Sequence, residues 1–219
     1  MRVIQSDENP AVVNEKPYEE AEKIATDRPG PKTMEGTERA INKERRECTI
    51  SKHMVDLLVT QLRAELSNYT LYNTFATYFN EQGLHKLAKY WEGRAKEEDH
   101  HHQWILGYLH RCDAKFLYPE VPPTNVDITN RLMPFEATVD REIETTGGIN
   151  FIVNEALKEA DWATFTFLMG DSDEEGMLVK EQIEEEKISR ETLKIARQDT
   201  DWLTIQDSIY DLYFGMRPE

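Results

Sequence analysis

Four stretches of this chain repeat apolar residues at spacings of three and four, and each repeat is broken once by a glutamate standing where an apolar residue belongs. The first runs from a capping Ser51 to about Asn80, with Val55, Leu58, Leu62, Tyr69, Tyr72, Ala76 and Phe79 on its seam and Glu65 in phase with them. The second runs from about Leu84 to Arg111, and Arg94, Glu98 and His101 share the seam of Leu87, Trp91, Ile105 and Tyr108. The third, about 130–159, places Glu142 in phase with Leu132, Phe135, Val139, Thr146, Ile149, Val153 and Ala156. The fourth, about 177–198, follows a short helical piece near 162–169. It turns Leu178, Gln182 or Glu181, Glu185, Ile188, Thr192 and Ile195 inward. This spacing is helical, and no segment alternates as a strand would. Gly83 marks a short link, while Pro119, Pro122 and Pro123 lie in a long one. A hairpin, a crossover and a second hairpin predict an all-α, four-helix bundle with one long crossover, closed by a short fifth helix near 201–214.

Residues 1–48 are a different kind of sequence. They hold charge of both signs and Pro10, Pro17, Pro29, Gly30 and Pro31, with few aliphatic residues. Such a segment buries too little apolar surface to offset its ordering entropy. It reads as a charged, disordered arm with short helical pieces near 18–26 and 34–47, either a solvated tail or a docking arm for a partner the sequence does not name. The bundle domain is then 49–219. The 219 residues carry 26 Lys and Arg against 42 Asp and Glu, a net charge of −16. That balance disfavours a nucleic-acid partner held through phosphates and favours cations. No run approaches the ~20 apolar residues of a membrane helix. The opening MRVIQSDENP lacks the apolar core of a secretory signal. Two distant cysteines, Cys48 and Cys112, suggest neither a disulfide framework nor a thiolate metal site, so a reducing, cytoplasmic compartment is expected.

The glutamates on the seams carry the chemistry. A buried, unpaired carboxylate costs several kcal/mol. Four of them, one near the middle of each long helix, need compensation, and Arg94 is the one clear basic residue on the seams. A bound cation is the economical answer. Four carboxylates and one imidazole are an oxygen-rich set that suits two divalent iron or manganese ions bridged by shared carboxylates. Glu98-x-x-His101 taken alone is a weak signal, since both residue types are common on exposed helices. In the run His100-His101-His102 only one ring can face inward, and His101 is in phase. The acidic run Glu184-Glu185-Glu186 gains meaning only because Glu185 is in phase. Gly147-Gly148 marks a kink or a close helix contact just after Glu142.

With these residues in view, the chain resembles the ferritin family over about residues 50–196. MVDLLVTQLRAELSNYTLYNTFATYF is similar to a ferritin first helix, with Glu65 and Tyr72 at its Glu and Tyr, and RAKEEDHHHQWILGYL to the second-helix motif. VPPTNVDI resembles the crossover loop, ADWATFTFL the entrance to the fourth helix, and KEQIEEEKI the carboxylate motif on it. The resemblance implies an intrasubunit ferroxidase centre. Glu65, Glu98 and His101 would hold a first iron, Glu142 and Glu185 a second, with Glu98 bridging. Gln182 would orient the bound oxygen species, and Tyr72 would donate a hydrogen bond or an electron. Glu97, Glu181 and Glu184 would form a third iron site of the bacterial type. Related diiron bundles carry a second Glu-x-x-His where this chain has Gln182-x-x-Glu185, which favours a ferritin.

What the resemblance implies is iron storage and detoxification. Two Fe(II) each give one electron to dioxygen or hydrogen peroxide, and the product mineralises inside a homo-oligomeric, 24-subunit cage. Two other readings stay open: a diiron or dimanganese oxidase that stores nothing, and an interaction protein acting through its arm. Two departures from ordinary ferritins stand out, the arm itself and about seven additional residues between Leu168 and Met177.

Overall fold

The computed structural model describes residues 47–122, 124, 126–170 and 177–216. The arm up to residue 46, with the helices expected at 18–26 and 34–47, lies outside the described residues, and so do positions 171–176 of the insertion. Among the described residues there are six helices and no strand: α1 (Lys52–Glu81), α2 (His85–Arg111), α3 (Met133–Lys158), α4 (Trp162–Met169), α5 (Leu178–Ala196) and α6 (Trp202–Met216). The expected four long helices, the short piece and the closing helix are all present.

Local chemistry sets the helix ends. Ser51 Oγ accepts the Met54 amide at 3.0 Å and starts α1. Asn130 Oδ1 accepts the Leu132 and Met133 amides at 2.9 and 3.0 Å, so α3 begins three residues later than the periodicity suggests. Pro134 sits in its first turn, where an amide hydrogen is not needed. Three helices end in the same way. After α1, Gly83 and Leu84 donate back to Asn80 and Phe79; after α2, Asp113 and Ala114 donate to His110 and Leu109; after α3, Ala160 and Asp161 donate to Leu157 and Ala156. This closure needs a left-handed residue. Gly83 takes it at φ +74° without cost, whereas Asp113 (φ 56°) and Ala160 (φ 53°) take it against their Cβ atoms. Asp161 then caps α4, accepting from the Thr164 amide and hydroxyl.

Helix α1 pairs with α2 and α3 with α5; α1 also meets α3, α4 bridges α3 and α5, and α6 lies against α2 and α5. Two apolar clusters fill the bundle. One is built on Phe75, Phe79, Trp91, Phe135 and Ile188, and Ile205, Ile209 and Tyr213 of α6 join it. The other is built on Leu58, Leu62, Ile105, Leu109, Ile149 and Leu178. Along every long helix the in-phase glutamate falls between the members of these two clusters, so the bundle carries a polar layer between two apolar halves.

Two seams differ from the periodicity. Tyr69 is 39% exposed, and Asn68 is buried beside it, donating to Thr145 Oγ1 at 3.1 Å. On α3 the residues Phe135, Glu142, Ile149 and Ala156 are buried as expected, but the alternate row is Thr138, Thr145 and Ile152 rather than Val139, Thr146 and Val153, which are half-buried. Spacings of three and four both satisfy a helical repeat, and the neighbouring helices decide between them.

Candidate metal centre

The polar layer gathers Glu65 from α1, Glu98 and His101 from α2, Glu142 from α3 and Glu185 from α5, none more than 1% exposed. Sequence phase places them there. Each occupies a core position of its helix, and the two apolar clusters seal the layer above and below. The atoms facing one another lack ordinary partners. Glu65 Oε2, both oxygens of Glu98, Glu142 Oε2, Glu185 Oε1 and His101 Nδ1 are buried without a hydrogen bond. Orphaned acceptors in that number are rare in a folded core, and the chemistry of this oxygen-rich set fits a cation.

Three groups of potential ligands lie with their atoms within 4.8 Å of one another: Glu65, Glu98 and His101; Glu98, Glu142 and Glu185; and His101, Glu181 and Glu185. The first two share Glu98, which can bridge two ions. His101 faces two ways. Its Nδ1 lies 3.9 Å from Glu65 Oε2 and 3.8 Å from Glu98 Oε2, while Nε2 lies 2.8 Å from Glu181 Oε2. A proton on Nε2 donated to Glu181 leaves Nδ1 free to ligate, the arrangement in which a carboxylate fixes the tautomer of a metal-binding histidine.

Around this set, a second group of side chains holds the carboxylates in place. Gln61 Nε2 donates to Glu65 Oε1 at 2.7 Å, and Gln182 Nε2 to Glu185 Oε2 at 2.8 Å. Tyr72 Oη and Arg94 Nη2 both donate to Glu142 Oε1, each at 2.5 Å. Thr146 Oγ1 reaches Gln182 Oε1 and Glu186 Oε1 at 3.0 and 2.7 Å. Gly148 is the close contact suspected in the Gly pair, because a Cβ there would stand 2.6 Å from Gln61 Oε1.

The electrostatics follow from burial and crowding. Burial pushes the Glu98 carboxyl well above the usual carboxylate range; the His101 ring 3.8 Å away opposes this, and the neighbouring glutamates add to it. Burial lifts Glu185 to about 7, against the pull of His101 and Arg94. Burial would lower His101, but Glu185, Glu181, Glu98 and Glu65 hold it well above the ordinary histidine value. Burial and Glu142 keep the Tyr72 phenol protonated, so it donates. Displacing these protons is the step by which cations enter such a site.

The remaining expected residues fall in different places. Glu181 is half-buried against His101. Glu97 is half-buried and lies 3.2 Å from Arg94 Nη1, and Glu184 is exposed. Glu97 and Glu181 line one cavity beside His101, whereas Glu184 is exposed; the tight group around Glu181 contains His101 and Glu185. His100 is exposed as expected, but His102 is buried beside Asp99 at 3.3 Å, so two of the three consecutive rings leave solvent. Sequence reasoning saw Arg94 as a seam residue without giving it a role in the centre. Gln61 was legible too, one turn before Glu65 on the same face.

A family model described as a ferritin-like domain matches residues 55–198. The chain belongs to the ferritin family. The bacterial non-heme ferritin of Campylobacter jejuni is 30% identical over 141 residues, 64% of this chain and 80% of that protein. The bacterial non-heme ferritin of Staphylococcus aureus is 26% identical over 139 residues, with the same shares covered. Among solved structures, an open pore ferritin from the hyperthermophilic archaeon Archaeoglobus fulgidus superposes with a TM-score of 0.66 at 26% identity, covering 74% of this chain and 98% of that one. Chlorobium tepidum ferritin gives 0.63 at 26% identity, covering 78% and 98%. The ferritin match takes in α1 through α5 almost entirely and stops before α6, and it contains every glutamate of the polar layer.

Proposed function

We propose that this ferritin oxidises Fe(II) at the polar layer and stores the Fe(III) product as mineral inside a homo-oligomeric cage of 24 subunits in the cytoplasm. Iron storage is the general function of its family. The observation that carries the ferroxidase reading is the convergence of orphaned Glu65, Glu98, Glu142, Glu185 and His101 atoms in one buried layer. Iron is the substrate here. Two Fe(II) supply two electrons; dioxygen accepts them with two protons to give hydrogen peroxide, or hydrogen peroxide accepts them with two protons to give two waters. Hard, anionic oxygen ligands favour the ferric product, so the ligand set itself drives the oxidation.

The chain's own residues orient the reaction. Glu65, Glu98 and His101 hold one ion, Glu142 and Glu185 the other, and Glu98 serves both. Gln61 and Gln182 fix the carboxylates of Glu65 and Glu185, and the Tyr72 hydroxyl fixes Glu142. Glu181 steadies the His101 ring and is suited to a third, neighbouring position. A cavity of about 580 Å³ lined by Lys89, Glu92, Lys96, Glu97, His101 and Glu181, with Tyr213 of α6 on its wall, provides an approach to the layer. No helix among the described residues is long and apolar enough to cross a membrane.

The test is aerobic Fe(II) oxidation by the metal-free protein against iron added per chain. A fast phase saturating near about two Fe(II) per chain, then slower uptake of many more, is expected of a dinuclear carboxylate centre feeding a store. Glu98→Ala and Glu142→Ala should abolish the fast phase with helicity unchanged. A wild-type protein without a fast phase would sink the reading.

A further inference from the structure

Arg94 is a buried arginine at the centre of a cluster of carboxylates. It is 0% exposed. Its Nη2 lies 2.5 Å from Glu142 Oε1, and its Nη1 lies 3.9 Å from Glu185 Oε1 and 3.2 Å from Glu97 Oε2. Glu142 and Glu185 are two of the three residues in one candidate ion group, and the guanidinium is the cation that group already has. The other main group, Glu65, Glu98 and His101, has no arginine or lysine within ion-pair reach among the described residues. The two halves of the centre therefore differ, although their carboxylates are alike.

We propose that Arg94 is a built-in counter-cation that orders the filling of the centre. The first divalent ion binds at Glu65, Glu98 and His101, and the second reaches Glu142 and Glu185 only when the guanidinium swings away. Charge decides this. Once their protons are displaced, the four buried carboxylates and Arg94 sum to −3, so one divalent ion leaves −1. A second ion with the guanidinium still in place would share the Glu142 carboxylate with it, two cations side by side in a low-dielectric layer, which is unfavourable. With Arg94 withdrawn, two ions leave the four carboxylates neutral. The guanidinium has somewhere to go. Nη1 already touches Glu97, which is half-buried on the wall of the approach cavity. Arginine stays charged throughout, so the exchange is one of position and not of protons. A site that waits for its second ion does not commit the first alone to one-electron chemistry.

This inference rests on the reading of the layer as a metal centre, and the experiment separates the two. The metal-free wild-type protein is titrated with Co(II) under nitrogen by calorimetry, with bound metal counted after desalting. Two resolved steps are expected, the second at least tenfold weaker. Arg94→Gln should tighten the second step about tenfold or more and leave the first within threefold. Glu142→Gln, in a chain that keeps Arg94, should leave the first step within threefold, whereas Glu65→Gln should remove it. This pair decides the matter if Arg94→Gln does not fold. Two equal steps in the wild type, an unchanged second step in Arg94→Gln, or loss of the first step in Glu142→Gln would overturn the proposal while the metal centre stands. No Co(II) bound by the wild type would overturn both.

Discussion

At the scale of single residues, the centre is a compromise between folding without metal and binding it. Arg94 is the clearest case. Removing one partner of a buried ion pair typically costs about 3–5 kcal/mol, because the other charge is left uncompensated. Arg94→Gln should therefore lower the unfolding free energy of the metal-free protein by about 3 kcal/mol or more, and saturating Co(II) should restore most of it. Denaturant unfolding with and without metal checks both halves of the statement. Burial of protonated acids makes a second prediction. Glu185 titrates near 7 in the fold, above the ordinary glutamate value, and Glu98 is displaced in the same direction. The folded chain then binds more protons than the unfolded one between the ordinary carboxylate range and about 7, so its stability falls as pH rises. His101 works with the same sign. Its pKa is raised in the fold, so its contribution is full below the unfolded value and is lost as pH rises through the folded one. The denaturation midpoint of the metal-free protein should decline from about pH 5 to about pH 8, and a midpoint rising across that window would contradict this account.

At the scale of helices, positions are set by a few close contacts that a periodic pattern does not display. Gly93 lets α6 lie along α2, since a Cβ there would come within 2.6 Å of Tyr213 Cε1. Gly148 gives room to Gln61, and Gln61 holds Glu65. Gly148→Ala tests the second of these without dismantling the bundle. Alanine gains about 1 kcal/mol of helix propensity over glycine, which offsets the cost of moving a flexible amide. Stability should change little, but Glu65 would lose its holder, and losing a partner of this kind typically weakens metal binding about 10-fold or more. Co(II) affinity and thermal unfolding of the same variant should separate accordingly. These contacts also show what was legible beforehand. The helices, the in-phase Glu65, Glu98, Glu142 and Glu185 and the inward turn of His101 follow from spacing and the cost of a buried charge. The choice of Thr138, Thr145 and Ile152 over Val139, Thr146 and Val153 does not, because both rows satisfy a helical repeat and the neighbour selects one. Asn68 entered the core in place of Tyr69 through a hydrogen bond to Thr145, a cross-helix partner that no local pattern announces. The pairing of Arg94 with Glu142 spans 48 residues and is invisible for the same reason.

At the scale of the whole molecule, the polar layer divides the bundle into two apolar halves, and its carboxylates repel across the middle. Each long helix passes through that layer, so the mutual repulsion loads all four at once, near their centres and not at their ends. Metal reverses the sign of this contribution. An ion that binds the fold and not the unfolded chain stabilises it by about 2.7 kcal/mol at a hundred times its Kd. For a domain of this size each kcal/mol moves Tm by roughly 2–4 °C, so Co(II) at that level should raise Tm by roughly 5–11 °C, and chelation should return it. The gain should also be localised. In the metal-free protein, amide hydrogen exchange should be faster at the middle of α3 and α5, around Glu142 and Glu185, than in the turns packed into either apolar cluster. Metal should slow exchange at that middle most. A uniform slowing along the helices would mean that the ion acts on global stability alone. Slowing concentrated at the layer would mean that it closes the seam between two halves that otherwise open there first.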